Sequence, residues 1–300
     1  MKHFLSLMDW STPELRALLD LASQYKCEPL KHMGSLSGRT MAMIFQKPST
    51  RTRVSFEVGM NRLGGSAMFL SPNDMQLGRG ETVEDTARVL SRYVDAIMAR
   101  VFAHADVEKL TAGSVPVING LSDRLHPCQA LADVLTLRQR FGDERGVELA
   151  YVGDGNNVCH SLINAAARFG FPIRVGTPKG YGPDAGIVQA ARRQGAEILL
   201  THDPVEAVMG AHAVYTDVWA SMGQESQAGE RRGIFDAFRV DATLFAHAAR
   251  DAIFLHCLPA HRGDEVTDDV IDAPHSAVLD QAENRVHTEQ ALLYTLLARA

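Results

Sequence analysis

The feature that most restricts this 300-residue chain is a steady alternation of short apolar runs with longer segments of helical period. The runs are Thr40 to Phe45, Ala96 to Val101, Val115 to Ile118, Leu149 to Val152, Ile173 to Val175, Ile198 to Leu200, Ala213 to Tyr215 and Ile253 to Leu255. Such runs predict strands of a parallel sheet that is buried on both faces. Arg53 to Leu63, closed by Gly64-Gly65, then Thr82 to Tyr93, Ala130 to Phe141 and Val158 to Phe169 read as the intervening helices. The pattern predicts an α/β protein with doubly wound sheets.

The length suits two domains of roughly 100 to 200 residues each. "FGDERGV" at 141–147 ends one helical pattern and leads into the next apolar run, so the division is expected there, as 1–142 and 143–286. The last helical pattern, Glu289 to Ala298 within 287–300, is expected to pack back on the first domain. A formal net charge of -6 argues against a general nucleic-acid binder, so any anion site must be local. No apolar segment nears the roughly 18 residues of a membrane span. Cys27, Cys128, Cys159 and Cys257 are scattered and the amino terminus lacks a secretory pattern, which predicts a reduced, cytoplasmic setting.

"FQKPSTRTRVS" at 45–55 concentrates donors between a predicted strand and a predicted helix. Free N–H groups and the positive end of the helix dipole point into such a loop. The hydroxyls of Ser49, Thr50 and Thr52 and the fork of Arg51 complete a cradle of phosphate size. A Ser or Thr helix cap beside a solvated basic patch is the plainer alternative. The spacing of a Walker loop is absent. "VGDGNNVCH" at 152–160 also joins strand to helix, but Val158 stands where a dinucleotide turn needs its third glycine.

Further polar clusters follow three other predicted strands: "HPCQALAD" with His126, Gln129 and Asp133, "TDVWASMG" with Asp217 and Ser221, and "HCLPAHRGDE" with His256 and Cys257. Ligands of doubly wound sheets bind beyond the carboxyl ends of the strands, so these clusters can converge. Each taken alone also fits a cap, a turn or an inert buried thiol. His126 with Cys128, or His256 with Cys257, is too closely spaced for a usual zinc site, and no metal is expected.

Together "STRTR" at 49–53, "HPCQ" at 126–129, "DVWASMG" at 217–223 and "HCLP" at 256–259 resemble the carbamoyltransferase family, and "SMG" with "HCLP" is similar to its ornithine-using members. The resemblance implies two domains with the active site in the cleft between them. It assigns Ser49, Thr50, Arg51, Thr52 and Arg100 to the phosphate of carbamoyl phosphate, and His126 and Gln129 to its carbamoyl group. Cys257, Leu258 and Arg285 would close over the same ligand. Gln76 matches a loop residue that reaches a neighbouring subunit's site, so a homotrimer or a multiple of it is implied. Asn157, Asp217, Ser221 and Met222 match the grip on L-ornithine. Asp133, His256 and Cys257 resemble an acid, imidazole and thiol set that handles the amine's proton.

No cofactor is implied, and 221–233 is expected to act as a lid. Open alternatives at this point are another acceptor (N-acylated ornithine, putrescine or aspartate), a non-catalytic phosphate-ligand sensor, and a dinucleotide-dependent dehydrogenase.

Overall fold

The computed structural model of the chain describes residues 1–71, 80–220 and 228–298. Contacts divide the chain into two units, Met1–Ala132 with Glu283–Ala300, and Asp133–Ala282.

In the first unit the strands are β1 (Thr40–Phe45), β2 (Ser66–Leu70), β3 (Ala96–Arg100) and β4 (Val117–Leu121), and the helices are α1 (Thr12–Cys27), α2 (Thr50–Arg62), α3 (Val83–Leu90) and α4 (His104–Leu110). The sheet order is β2-β1-β3-β4 and every pairing is parallel. Its core joins Ala42 and Ile44 to Ile97, Ala99 and Val117. The chain leaves β1 toward β2 and later returns to the other side of β1 as β3. The order therefore reverses between β1 and β3, where Phe45 is in register with Arg100. Loops diverge at such a point and open a crevice beyond the strand ends.

In the second unit the strands are β5 (Leu149–Val152), β6 (Ile173–Gly176), β7 (Ile198–Thr201), β8 (Ala213–Thr216) and β9 (Ile253–Leu255), in the parallel order β7-β6-β5-β8-β9. A fifth helix, α5 (Pro127–Phe141), runs across the boundary between the units. It is followed by α6 (Asn157–Phe169), α7 (Ala185–Arg193), α8 (Pro204–Val208), α9 (Ala228–Phe235), α10 (Ala242–Phe245) and α11 (Asp268–Ile271). The long α12 (Val278–Leu297) crosses the second boundary. Here the order reverses between β5 and β8, with Val152 in register with Thr216.

Every apolar run read as a strand is one. β4 starts later than expected and continues through Asn119, whose side-chain amide donates to the Leu5 carbonyl at 3.1 Å. The amide N–H of a polar residue is thus paired inside the sheet, while its Oδ1 is buried without a partner. β2 was not expected. It is an edge strand with exposed or half-buried side chains, and its apolar run Ala67 to Leu70 was passed over in the sequence. No helix among the described residues is long and apolar enough to cross a membrane.

Candidate active site

In the first unit the site is built at the reversal point of the sheet. Ser49 caps α2, its hydroxyl accepting the Thr52 N–H at 3.2 Å, so Thr50, Arg51 and Thr52 form the first turn, where backbone donors are in surplus. Thr50 is exposed and Thr52 buried. Arg100 closes β3 and is buried, with its carbonyl accepting the Gln46 N–H. His126 immediately precedes Pro127, the first residue of α5, a position that tolerates a missing N–H.

Arg285, on α12, ties these parts together. Its guanidinium donates to Gln129 Oε1 at 2.9 Å, to Thr52 Oγ1 at 3.2 Å and to Glu289 Oε1 at 2.8 Å. Burial raises the Glu289 carboxyl above its ordinary range, with Arg285 opposing. Burial, followed by the positive fields of Arg285, Arg100 and Arg51, holds His126 well below the ordinary histidine range. An uncharged imidazole among three guanidinium groups is an arrangement that awaits an anion. Cys128, between the two functional residues of its motif, donates its thiol to the Asn119 carbonyl at 3.4 Å and is fully buried, a packing role.

In the second unit the groups gather at the β5 and β8 strand ends. Asn156 caps α6, accepting the Val158 and Cys159 N–H groups, while its amide donates to Asp217 Oδ2 at 2.7 Å. The Cys257 thiol donates to Asp217 Oδ1 at 3.1 Å. Asn157 is the first residue of α6 and half-buried. Leu258 adopts φ 59, the left-handed region, which a branched side chain enters at a cost. Its N–H is thereby turned onto His256 Nδ1 at 2.9 Å.

That bond fixes the imidazole tautomer. Nδ1 accepts, so Nε2 carries the proton, and it faces Glu265 Oε1 at 3.3 Å with both side chains buried. Asp133, expected to orient the ring, is linked to the His256 backbone through Gln281. Asp133 accepts from the Gln281 amide at 2.7 Å, and Gln281 in turn accepts the backbone N–H of His256 at 2.9 Å. The carboxylate beside the ring is Glu265. Asp217, His256 and Cys257 each offer an atom able to bind a metal, all within 4.8 Å of one another. Of the two ring nitrogens of His256, Nδ1 already accepts the Leu258 N–H, and Nε2 stands 3.3 Å from Glu265 Oε1.

The glycine turn at 153–155 serves the chain's own packing. A Cβ on Gly155 would lie 2.3 Å from the Pro183 nitrogen and 2.4 Å from the Gly182 carbonyl carbon. The close approach that a dinucleotide's pyrophosphate would exploit is occupied by backbone. Gln76, Ser221 and Met222 lie outside the described residues, as does the 221–227 part of the expected lid; Ala228–Phe235 is helical. Glu265, Gln281, Asn156 and Glu289 were missed by the sequence reading. Asn156 alone had a signal, an Asn ahead of a helical run, which marks a cap.

Residues 2–139 match the family described as "Aspartate/ornithine carbamoyltransferase, carbamoyl-P binding domain", and 145–296 match its "Asp/Orn binding domain". The chain is 56% identical over 303 residues to an ornithine carbamoyltransferase of Pyrococcus horikoshii, covering 99% of this chain and 96% of that one. It is 54% identical over 303 residues to the ornithine carbamoyltransferase of Carboxydothermus hydrogenoformans, with 99% and 97% covered. Among solved structures it is similar to the Pyrococcus furiosus ornithine carbamoyltransferase, with TM-score 0.94, 55% identity and 99% and 97% coverage. The anabolic ornithine carbamoyltransferase of Campylobacter jejuni gives TM-score 0.94 at 40% identity, with both chains covered at 100%. Two parallel-sheet α/β units carrying these clusters define a group-transfer enzyme. The chain belongs to the aspartate/ornithine carbamoyltransferase family.

Proposed function

We propose that this enzyme transfers the carbamoyl group of carbamoyl phosphate to the δ-amine of L-ornithine, giving L-citrulline and phosphate. The observation that carries the reading is the uncharged His126 buried among Arg51, Arg100 and Arg285. The division of labour is 1–142 with 287–300 for carbamoyl phosphate, and 143–286 for ornithine.

Ser49, Thr50, Arg51, Thr52 and Arg100 hold the phosphate, with Gln76 arriving from a neighbouring chain. A neutral imidazole donates to the carbamoyl oxygen without first losing a proton, and Gln129 and Arg285 fix the carbamoyl plane. As the amine attacks, charge grows on that oxygen and on the departing phosphate, where these donors already point. Asp217 receives the α-ammonium of ornithine and Asn157 its carboxylate, and Ser221 and Met222 are assigned to the same substrate. Cys257 and Leu258 border the carbamoyl carbon. The reading requires both sets of residues to address one carbamoyl group, and that tethering supplies orientation.

The δ-amine resembles that of lysine, with a pKa of about 10.4, and must lose a proton before it attacks. Of the three protons on the δ-ammonium, one stays in the new amide, one leaves on hydrogen phosphate, and one must be carried away. Cys257, hydrogen-bonded to Asp217, is the group suited to pass it on. His256 acts on the thiol indirectly, by holding the 256–258 turn. The assembly is a homotrimer or a multiple of it, readable by sedimentation equilibrium, and the setting is the cytoplasm.

The test is formation of the carbamoylated product and release of phosphate from carbamoyl phosphate by purified protein without added metal, with ornithine, N-acetylornithine, putrescine and aspartate in parallel. Rapid carbamoylation of ornithine alone is expected. Preference for another acceptor would overturn the assignment of Asp217, and inactivity with all four would overturn the enzyme reading.

A further inference from the structure

Two carboxylates face the acceptor end of the second unit, and their surroundings differ. Asp217 is hydrogen-bonded to neutral donors, the Asn156 amide at 2.7 Å and the Cys257 thiol at 3.1 Å. Asp154, two residues before Asn156, is instead ion-paired with Arg231 of α9 at 2.8 Å. Arg231 is itself buried, at 9% exposure, and the same Nη1 donates to the carbonyl of Trp219 at 2.6 Å, two residues beyond Asp217. Its guanidinium lies 5.1 Å from the Tyr181 ring and 5.9 Å from that of Phe235, which fixes its plane. One buried cation thus links the two loops that carry Asn156 and Asp217.

We propose that Arg231 is a positioning residue for the acceptor: by neutralising Asp154 and pinning the Trp219 carbonyl, it leaves Asp217 as the carboxylate that receives the substrate's α-ammonium. The inference rests on the reading of Asp217 given above. Asp154, Asp217 and Arg231 together carry one net negative charge, which matches one ammonium group. Without the guanidinium, Asp154 would be a buried carboxylate beside a second one, and it would take up a proton or compete for the substrate. The ionisable groups acting on Asp154 are Arg231 from α9 and Asp217 from the β8 end, and Tyr151 of β5 and Cys159 of α6 feel its field in turn. Burial already raises the Asp154 carboxyl, Asp217 adds to this, and Arg231 opposes both.

The experiment compares Arg231→Gln, Arg231→Lys and the double variant Asp154→Asn/Arg231→Gln, measuring KM for each substrate across pH. For Arg231→Gln the ornithine KM should rise about tenfold or more while that for carbamoyl phosphate stays within about twofold. Its ornithine KM should also gain a new dependence on pH on the weakly acidic side, as Asp154 titrates without its counter-charge. Arg231→Lys should recover part of the affinity. The double variant, with no carboxyl left at 154, should lose the new pH dependence and return toward the wild-type KM.

Equal effects of Arg231→Gln on both substrates, or a double variant as impaired as the single one, would overturn the proposal. If Arg231→Gln does not fold, the double variant decides: an ornithine KM near wild type supports the proposal, and one as high as that of an Asp217→Asn control overturns it. Wild-type protein that makes no citrulline would instead sink the ornithine reading itself.

Discussion

His126 illustrates how one residue's surroundings set its chemistry. Burial comes first and the fields of Arg285, Arg100 and Arg51 add to it, so the ring stays neutral well below the usual histidine range. The same fact bears on stability. In the unfolded chain the residue takes a proton below its ordinary value of 6.5, while in the folded protein it resists doing so. The unfolded state then binds more protons, and stability falls as pH drops below about 6.5, by up to roughly 1.4 kcal/mol per pH unit for one such group. Burial also lowers His104 and His287, so the effect is isolated by difference. Urea unfolding of wild type and His126→Asn between about pH 5 and 7 should show a shallower acid slope in the variant. Parallel slopes would contradict a neutral, buried His126.

Elements show where sequence reading succeeds and where it stops. Most strands announce themselves as apolar runs, because the sheet interiors are mostly apolar, and the parallel sheets follow. β2 carries the run Ala67 to Leu70 but was overlooked, as it follows Gly64-Gly65 and lies exposed at the edge of its sheet. α12 was read only from Glu289, whereas it begins at Val278. Its buried face carries Gln281, Asn284, Arg285 and Thr288, so the apolar period that marks a helix is absent where the helix holds the site. The phosphate cradle was legible because its donors are consecutive. The pairings of His256 with Glu265 and of Arg231 with Asp154 were not, since they join residues that only the fold brings together. The turn after β5 gives an element-scale prediction. Gly155→Ala would drive a methyl into the Gly182–Pro183 backbone and should cost about 1–3 kcal/mol of stability in urea unfolding. Gly146→Ala, with nothing within 4 Å of the added carbon, should change stability by no more than about 0.5 kcal/mol. Equal stability of the two variants would mean that the backbone approach at Gly155 is not made in solution.

At the scale of the whole molecule, the same construction is used twice. Each unit is a parallel sheet whose strand order reverses once, and each gathers its polar groups beyond that reversal, between β1 and β3 or between β5 and β8. The first collects cations around a neutral imidazole, as suits an acyl phosphate; the second collects a carboxylate, an amide and a thiol, as suits an amine. On the proposed reading, the chemistry would follow from tethering an electrophile and a nucleophile, with donors arranged where negative charge develops. The most direct measurement is the steady-state kinetics of Arg51→Ala and Asp217→Asn with both substrates varied. Arg51→Ala should lower kcat/KM for carbamoyl phosphate by about a hundredfold or more and Asp217→Asn should raise the ornithine KM by about tenfold or more, each leaving the other substrate's KM within a fewfold. Near-normal turnover of Arg51→Ala, or a loss of carbamoyl phosphate affinity in Asp217→Asn, would contradict these assignments.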